Sequence, residues 1–211
     1  MADFILAKGI QVTSMEGIHE CYEVIERVHP TDGDMYYSFL INISIDKLRP
    51  LLESFIRDLD EPCFFLCETG ASQQEEGELR KAASDPLHRN VYYKDGCSRH
   101  ELLELLKVHG EWFIHDGMSC FGFASHRSKD EIYIGRYKIT SLFVRDIERY
   151  QVLLDRFDIP KEDDIKTVWK NFSHDTPGHC SLVTIEDKTV YDIIDHLLEN
   201  GLYLAERRDE V

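Results

Sequence analysis

The sequence predicts an α+β fold: a mixed, largely antiparallel sheet with helices packed on it and a central β-meander at about 111–144. Three observations predict this fold. Apolar residues at helical spacing alternate along the chain with short runs of aromatic and β-branched residues. Several of those runs follow one another with only short turns between them. A chain of 211 residues, 43% of them hydrophobic, can also bury a substantial core. We therefore expect a single domain over residues 1–211, with a subdivision near 69–90 left open.

The first third of the chain alternates strand and helix signals. Residues 3–13 predict a strand. A helix is predicted after Ser14, because the next apolar residues recur at helical spacing; they are Ile18, Tyr22, Ile25 and Val28. Residues 36–44, YYSFLINIS, are apolar and β-branched enough for a central strand.

A helix with a clear apolar stripe follows. Asp46 is suited to cap it, and Pro50 falls in its first turn, where a missing N–H costs little. The stripe consists of Leu48, Leu51, Leu52, Phe55 and Leu59. Pro62 ends the helix, and CFFLCE predicts a short buried strand. Strand, helix and strand indicate a βαβ unit, or a split arrangement with another strand in between.

The middle of the chain begins with a polar stretch at 69–88, which predicts a flexible loop holding at most one or two exposed helical turns. NVYYKD then predicts a strand. Ser98 and Glu101 form a capping-box pattern, which marks the start of a helix. Gly110 is expected to end that helix.

The predicted meander has three strands, WFIHD, SCFGFAS and EIYIGRYKITSLFV, with Gly135 marking a bulge or bend in the third. Beyond it, a helix capped by Asp146 and a second helix over 162–172 are predicted. The strand HCSLVTIE, a helix over 189–200 and the strand LYLAE complete the chain.

The formal net charge of −16 argues against binding nucleic acid through its phosphates, which requires a basic surface. It suits a basic protein partner, whose approach such a field accelerates. The opening MADFILAKGIQV lacks the features of a signal peptide, and no apolar run approaches the roughly 20 residues of a membrane span. The six cysteines are scattered along the chain, which is typical of a protein whose thiols are reduced. We therefore expect a cytosolic protein without membrane contact.

Two acidic clusters are candidate contacts for the partner. Glu75, Glu76 and Glu78 lie in the polar loop, and Glu162, Asp163 and Asp164 form a continuous run. Their carboxylates would steer a cationic surface and then cover it. Either cluster taken alone is also what an ordinary solvated surface provides.

The segment FIHDGMSCFGFASH carries the residue types of nucleophilic and metal-assisted catalysis. His115, Asp116, Cys120 and His126 would serve a small hydrolase or a metal-dependent enzyme. Against this, Cys120 lies within a predicted strand and nothing in the spacing requires the two histidines to meet. No HxH, HExxH or CxxC spacing and no nucleotide-binding glycine motif is present. The residues therefore favour a binding protein with no catalytic site, no cofactor and no metal, and the enzyme stays the alternative.

Residues 112–143, WFIHDGMSCFGFASHRSKDEIYIGRYKITSLF, resemble uncharacterised bacterial α+β proteins of the kind found among immunity proteins of secreted toxins. The resemblance covers this meander and the helix before it. It implies an intracellular protein that blocks a toxin domain by binding it, often with an acidic surface against a basic nuclease. It assigns no contact residue.

Overall fold

The structure, a computed structural model, describes residues 4–28 and 33–210. These residues form ten strands and five α-helices. The strands are β1 (Ile10–Val12), β2 (Cys21–Val28), β3 (Met35–Asn42), β4 (Cys63–Gly70), β5 (His88–Cys97), β6 (Cys120–Ser125), β7 (Glu131–Ile134), β8 (Thr140–Val144), β9 (Gly178–Cys180) and β10 (Tyr203–Asp209). The helices are α1 (Ile45–Asp58), α2 (Gln73–Leu79), α3 (Arg99–His115), α4 (Ile147–Asp155) and α5 (Val190–Leu198).

Eight strands form one sheet in the order β10-β5-β4-β6-β7-β8-β3-β2, and every neighbouring pair is antiparallel. β1 and β9 form a separate antiparallel pair. The predicted α+β fold with a largely antiparallel sheet is confirmed. β3 and β4, which flank α1, run parallel with three strands between them, so the connection is a split βαβ unit.

One face of the sheet is buried beneath helices. Its side chains come from alternate positions of each strand, as the pleat requires, and include Phe39, Phe65, Phe121, Phe123 and Leu142. α1, α3, α4 and α5 bury apolar residues in the same cluster. The predicted stripe of α1 is fully inside it, since Leu48, Leu51, Leu52, Phe55 and Leu59 are all at most 1% exposed. No helix in the described ranges is long and apolar enough to cross a membrane.

The predicted helix over Ile18 to Val28 is wrong, because Cys21–Val28 is strand β2. The apolar spacing of this segment fits a helix, but alternation fits it equally well. Tyr22 and Val24 face the helix side, opposite Ile41 and Phe39 of β3. Eight consecutive pairs with β3 decide the conformation, because sheet pairing outweighs weak local preferences.

The predicted first strand of the meander, WFIHD, is also wrong. α3 continues through Gly110 to His115, and the meander consists of β6, β7 and β8 alone. Gly110 lies inside the helix for a packing reason. A β-carbon there would stand 2.8 Å from Leu106 Cδ1 and 3.1 Å from Arg49 Nη2. The missing side chain lets the guanidinium of Arg49 reach the Leu106 carbonyl at 2.8 Å.

The helix predicted over 162–172 is wrong as well, because only a short 3-10 turn, Val168–Asn171, forms there. Of the strand predicted over 3–13, the described residues form only β1, and the predicted strand HCSLVTIE forms only β9. These two short strands pair with each other. By contrast, the predicted helix over 189–200 and the strand after it are confirmed as α5 and β10.

Candidate functional site: the solvent face of the sheet

The four residues of the alternative catalytic site do not come together. Cys120 is the first residue of β6 and His126 follows its last, so they stand at opposite ends of a strand roughly 20 Å long. His115 ends α3, with Nε2 3.4 Å from Glu111 Oε2. The ring of His126 stacks on Phe64 at 4.6 Å and its Nε2 lies 2.8 Å from Asp95 Oδ1.

Asp116 is completely buried and holds the backbone in place. Its Oδ2 accepts hydrogen bonds from the N–H groups of Met118 at 2.9 Å and Ser119 at 2.8 Å. Its Oδ1 accepts one from the N–H of Val183 at 3.1 Å. These bonds join the end of α3 to the start of β6 and to the segment after β9. The contacts of Asp116 are therefore those of a structural residue.

Two of the three acids in the predicted flexible loop are engaged within the chain. Glu75 completes a capping box at the start of α2 and accepts a hydrogen bond from Arg207 Nη2 at 2.7 Å. Glu76 contacts the N–H and Nδ1 of His88, and the hydrogen bond from His88 holds the pKa of Glu76 below its usual value. Only Glu78 is exposed without a hydrogen bond or ion pair in the described residues.

The second acidic run lies on the surface beside β2. Glu162 lies 2.9 Å from His19 Nε2, and Asp164 pairs with Lys170 at 2.6 Å. Asp163 is exposed. The run is therefore a loop anchored at both ends, and not a helical surface.

The sheet face turned away from the helices, called the solvent face below, is rich in aromatic side chains. Those that are exposed or half-buried are Tyr36, Phe64, Tyr93, Tyr133, Phe143 and Tyr203. Smaller residues such as Gly122 and Ala124 lie between them and are buried by their neighbours. A face that exposes several aromatic side chains to solvent is typical of an interaction surface.

Glu131 lies on the solvent face at the start of β7, paired across the strands with Ala124 of β6 and Phe143 of β8. The carboxylate is half-buried, and within residues 4–28 and 33–210 it makes no hydrogen bond or ion pair. Burial, and then the charge of Glu68, raise the pKa of Glu131. Glu131 also lines a depression of about 440 Å³, in which Lys129 does not form an ion pair with it.

The charges at the other end of the solvent face are paired. Glu68 contacts Arg208 at 2.5 Å and Arg89 at 3.6 Å. Arg89 also reaches Glu210 at 3.3 Å and the sulfur of Cys120 at 3.6 Å. Arg89 and Arg208, the arginines at this end, therefore already pair with carboxylates. Glu131, by contrast, forms no ion pair with any described residue.

Sequence reasoning missed the solvent face, although one signal for it was present. In EIYI, Glu131 and Tyr133 alternate with buried Ile132 and Ile134, which marks a strand with one polar, aromatic side. The sequence does not show which of the charged side chains on that side form ion pairs.

Comparison with known proteins adds no relative from which a function could be transferred: no family model, no curated protein and no solved structure matches this chain.

Proposed function

We propose that the chain is a binding protein that holds a basic protein partner on its solvent face, with a lysine or arginine of the partner paired to Glu131. The observation that carries this proposal is a half-buried carboxylate that makes no hydrogen bond or ion pair within residues 4–28 and 33–210 and lies opposite the ring of Phe143. The resemblance of residues 112–143 favours one form of this function, inhibition of a basic toxin domain by its immunity protein.

The energetic argument begins with the cost of burial. Glu131 has given up part of its hydration without gaining a cation or a hydrogen-bond donor from the described part of the chain, and this disfavours the charged form. A partner's guanidinium or ammonium group would restore that interaction. Phe143, directly opposite Glu131, and Tyr36, whose ring centre is 6.5 Å from that of Phe143, offer ring faces to the same cation.

The rest of the molecule suits a cationic partner as well. The net charge of −16 attracts it over long range and accelerates encounter, while aromatic side chains supply the area that holds an interface. Long-range charge and local anchors act on different rates: the first on association, the second on dissociation.

The test is affinity capture from the host that encodes the chain, followed by calorimetry with the purified captured protein. Glu131→Gln removes the charge and keeps the shape. We expect it to weaken binding by about 30-fold or more, the effect of breaking one desolvated charge pair. Glu199→Gln, an equal charge change on the exposed end of α5, is the control, with an expected effect within about 2-fold.

Two results would contradict the proposal. One is equal binding by the Glu131→Gln and Glu199→Gln variants. The other is a captured partner with no excess of basic residues on its binding surface.

A further inference from the structure

His19, Cys21 and Glu162 bring three metal-ligating groups together at the start of β2, the edge strand that lies three strands from β7. His19 and Cys21 are separated only by Glu20, where the backbone bends, and the Cys21 thiol donates to the His19 carbonyl at 3.5 Å. Glu162 comes from a segment more than a hundred residues away, with its Oε1 2.9 Å from His19 Nε2.

Backbone pairing fixes Glu162 in this position. The Tyr22 N–H donates to the Pro160 carbonyl at 2.9 Å, and the Glu162 N–H donates to the Tyr22 carbonyl at 2.8 Å. Tyr22 and Lys161 thereby form a parallel bridge. Because the bridge lies directly beside Cys21, the approach of the carboxylate to the thiol is a consequence of the fold.

The separations suit a single small ion. One ligand atom from each side chain, the imidazole nitrogen, the sulfur and a carboxylate oxygen, lie within 4.8 Å of one another. Bonds of about 2.0–2.3 Å around tetrahedral zinc place neighbouring ligand atoms roughly 3.5 Å apart. Small side-chain rotations are enough to close that difference, since His19 and Glu162 are both exposed.

We propose that His19, Cys21 and Glu162 bind one Zn²⁺ ion, whose fourth position opens into the neighbouring cleft. Coordination forms the bond from Sγ to zinc as the thiol proton leaves to solvent. The cleft measures about 720 Å³, and His19 and Glu162 line it together with Ile18, Asp158 and Pro160, among others. Three protein ligands with an accessible fourth position are the pattern of zinc sites that bind water or a substrate.

The ligand types select zinc over other common cations. A thiolate with an imidazole and a carboxylate matches the preferences of Zn²⁺, whereas Mg²⁺ and Ca²⁺ require oxygen ligands. The surroundings support the same set. Asn42 Nδ2 lies 3.8 Å from Cys21 Sγ and is itself fixed by the Lys166 carbonyl at 2.8 Å. Glu20 lines the same cleft, but its carboxylate is already engaged by Lys47 at 2.6 Å and by the Ser44 N–H at 3.2 Å.

The experiment measures zinc affinity of the full chain by competition with a chromophoric chelator, together with the absorption spectrum after Co²⁺ substitution. The variants are His19→Gln, Glu162→Gln and Cys21→Ser. The first two change exposed side chains, which are 47% and 42% accessible, so they test the site without disturbing the core. Thermal unfolding without metal checks the buried Cys21→Ser variant.

Matched controls alter the same residue types elsewhere: His174→Gln, Glu186→Gln and Cys180→Ser. We expect one Zn²⁺ per chain, an affinity loss of about 100-fold or more in each ligand variant, and changes within about 2-fold in the controls. The Co²⁺ complex should show a thiolate charge-transfer band that disappears in Cys21→Ser.

Absence of zinc binding by the wild-type chain would overturn the proposal. So would zinc binding that His19→Gln and Glu162→Gln leave unchanged, whatever Cys21→Ser does. The Glu131→Gln variant should bind zinc like the wild type, so failure of the zinc site and failure of the partner-binding face are separate results.

Discussion

Replacing Asp116 with alanine tests whether this residue is structural, as its contacts indicate. The carboxylate accepts three backbone N–H groups, those of Met118, Ser119 and Val183, at 2.8–3.1 Å. Each hydrogen bond to a charged acceptor contributes about 1.5–3 kcal/mol when buried. Because two of the three donors are only partly buried, we expect Asp116→Ala to lower the free energy of unfolding by about 3–5 kcal/mol.

Asp116→Asn separates charge from shape. The amide oxygen can keep the N–H groups of Met118 and Ser119, but the amide nitrogen then faces the N–H of Val183. One hydrogen bond is lost and two donors face each other, so a smaller cost of about 1–3 kcal/mol is expected.

The assay is urea unfolding followed by the fluorescence of Trp112 and Trp169. Asp175→Ala serves as the control, because that side chain is 97% exposed and its loss should change stability by less than about 0.5 kcal/mol. A loss below about 1 kcal/mol in Asp116→Ala would refute the structural role, since no arrangement of three orphaned donors is that cheap.

Two further predictions concern glycine packing and a buried lysine. A β-carbon on Gly117 would stand 2.1 Å from the Gly9 carbonyl oxygen, so Gly117→Ala should cost about 2–3 kcal/mol in urea unfolding. Gly77→Ala, in the open middle of α2, should instead stabilise by about 0.5–1 kcal/mol; equal effects at the two positions would contradict the packing argument. Burial lowers the pKa of Lys138 from 10.5 to about 8, so between these values the unfolded chain binds the additional proton. Stability relative to Lys138→Met should therefore rise by roughly 3 kcal/mol from pH 8 to 10.5 and be lost again as the pH falls; a flat difference curve would contradict the burial of the ammonium group.

The sequence alone predicted those elements whose apolar pattern and caps lie within one continuous segment. The stripe from Leu48 to Leu59 predicts α1, and the Ser98–Glu101 capping box predicts the start of α3. Such signals succeed because a helix satisfies its backbone hydrogen bonds within itself, so its periodicity and its caps lie close together along the chain.

Segments that suit two conformations were decided by tertiary structure. Residues 21–28 fit a helical period, yet pairing with β3 makes them a strand. Gly110 matches the pattern of a helix end, but it lies inside α3, where the missing side chain leaves room for Arg49. In both cases the deciding atoms belong to a different part of the chain.

The sites depended on the tertiary structure still more strongly. The sequence by itself determined the net charge and the residue types available, and the proposal of a basic partner begins from them. Only the folded chain decided that Cys120 and His126 lie apart and that Glu162 lies beside His19, 143 positions away. It also decided that Glu131 is half-buried and forms no ion pair with any described residue. The physical reason is that desolvation and contact between side chains depend on distance in space, and separation along the chain does not encode that distance.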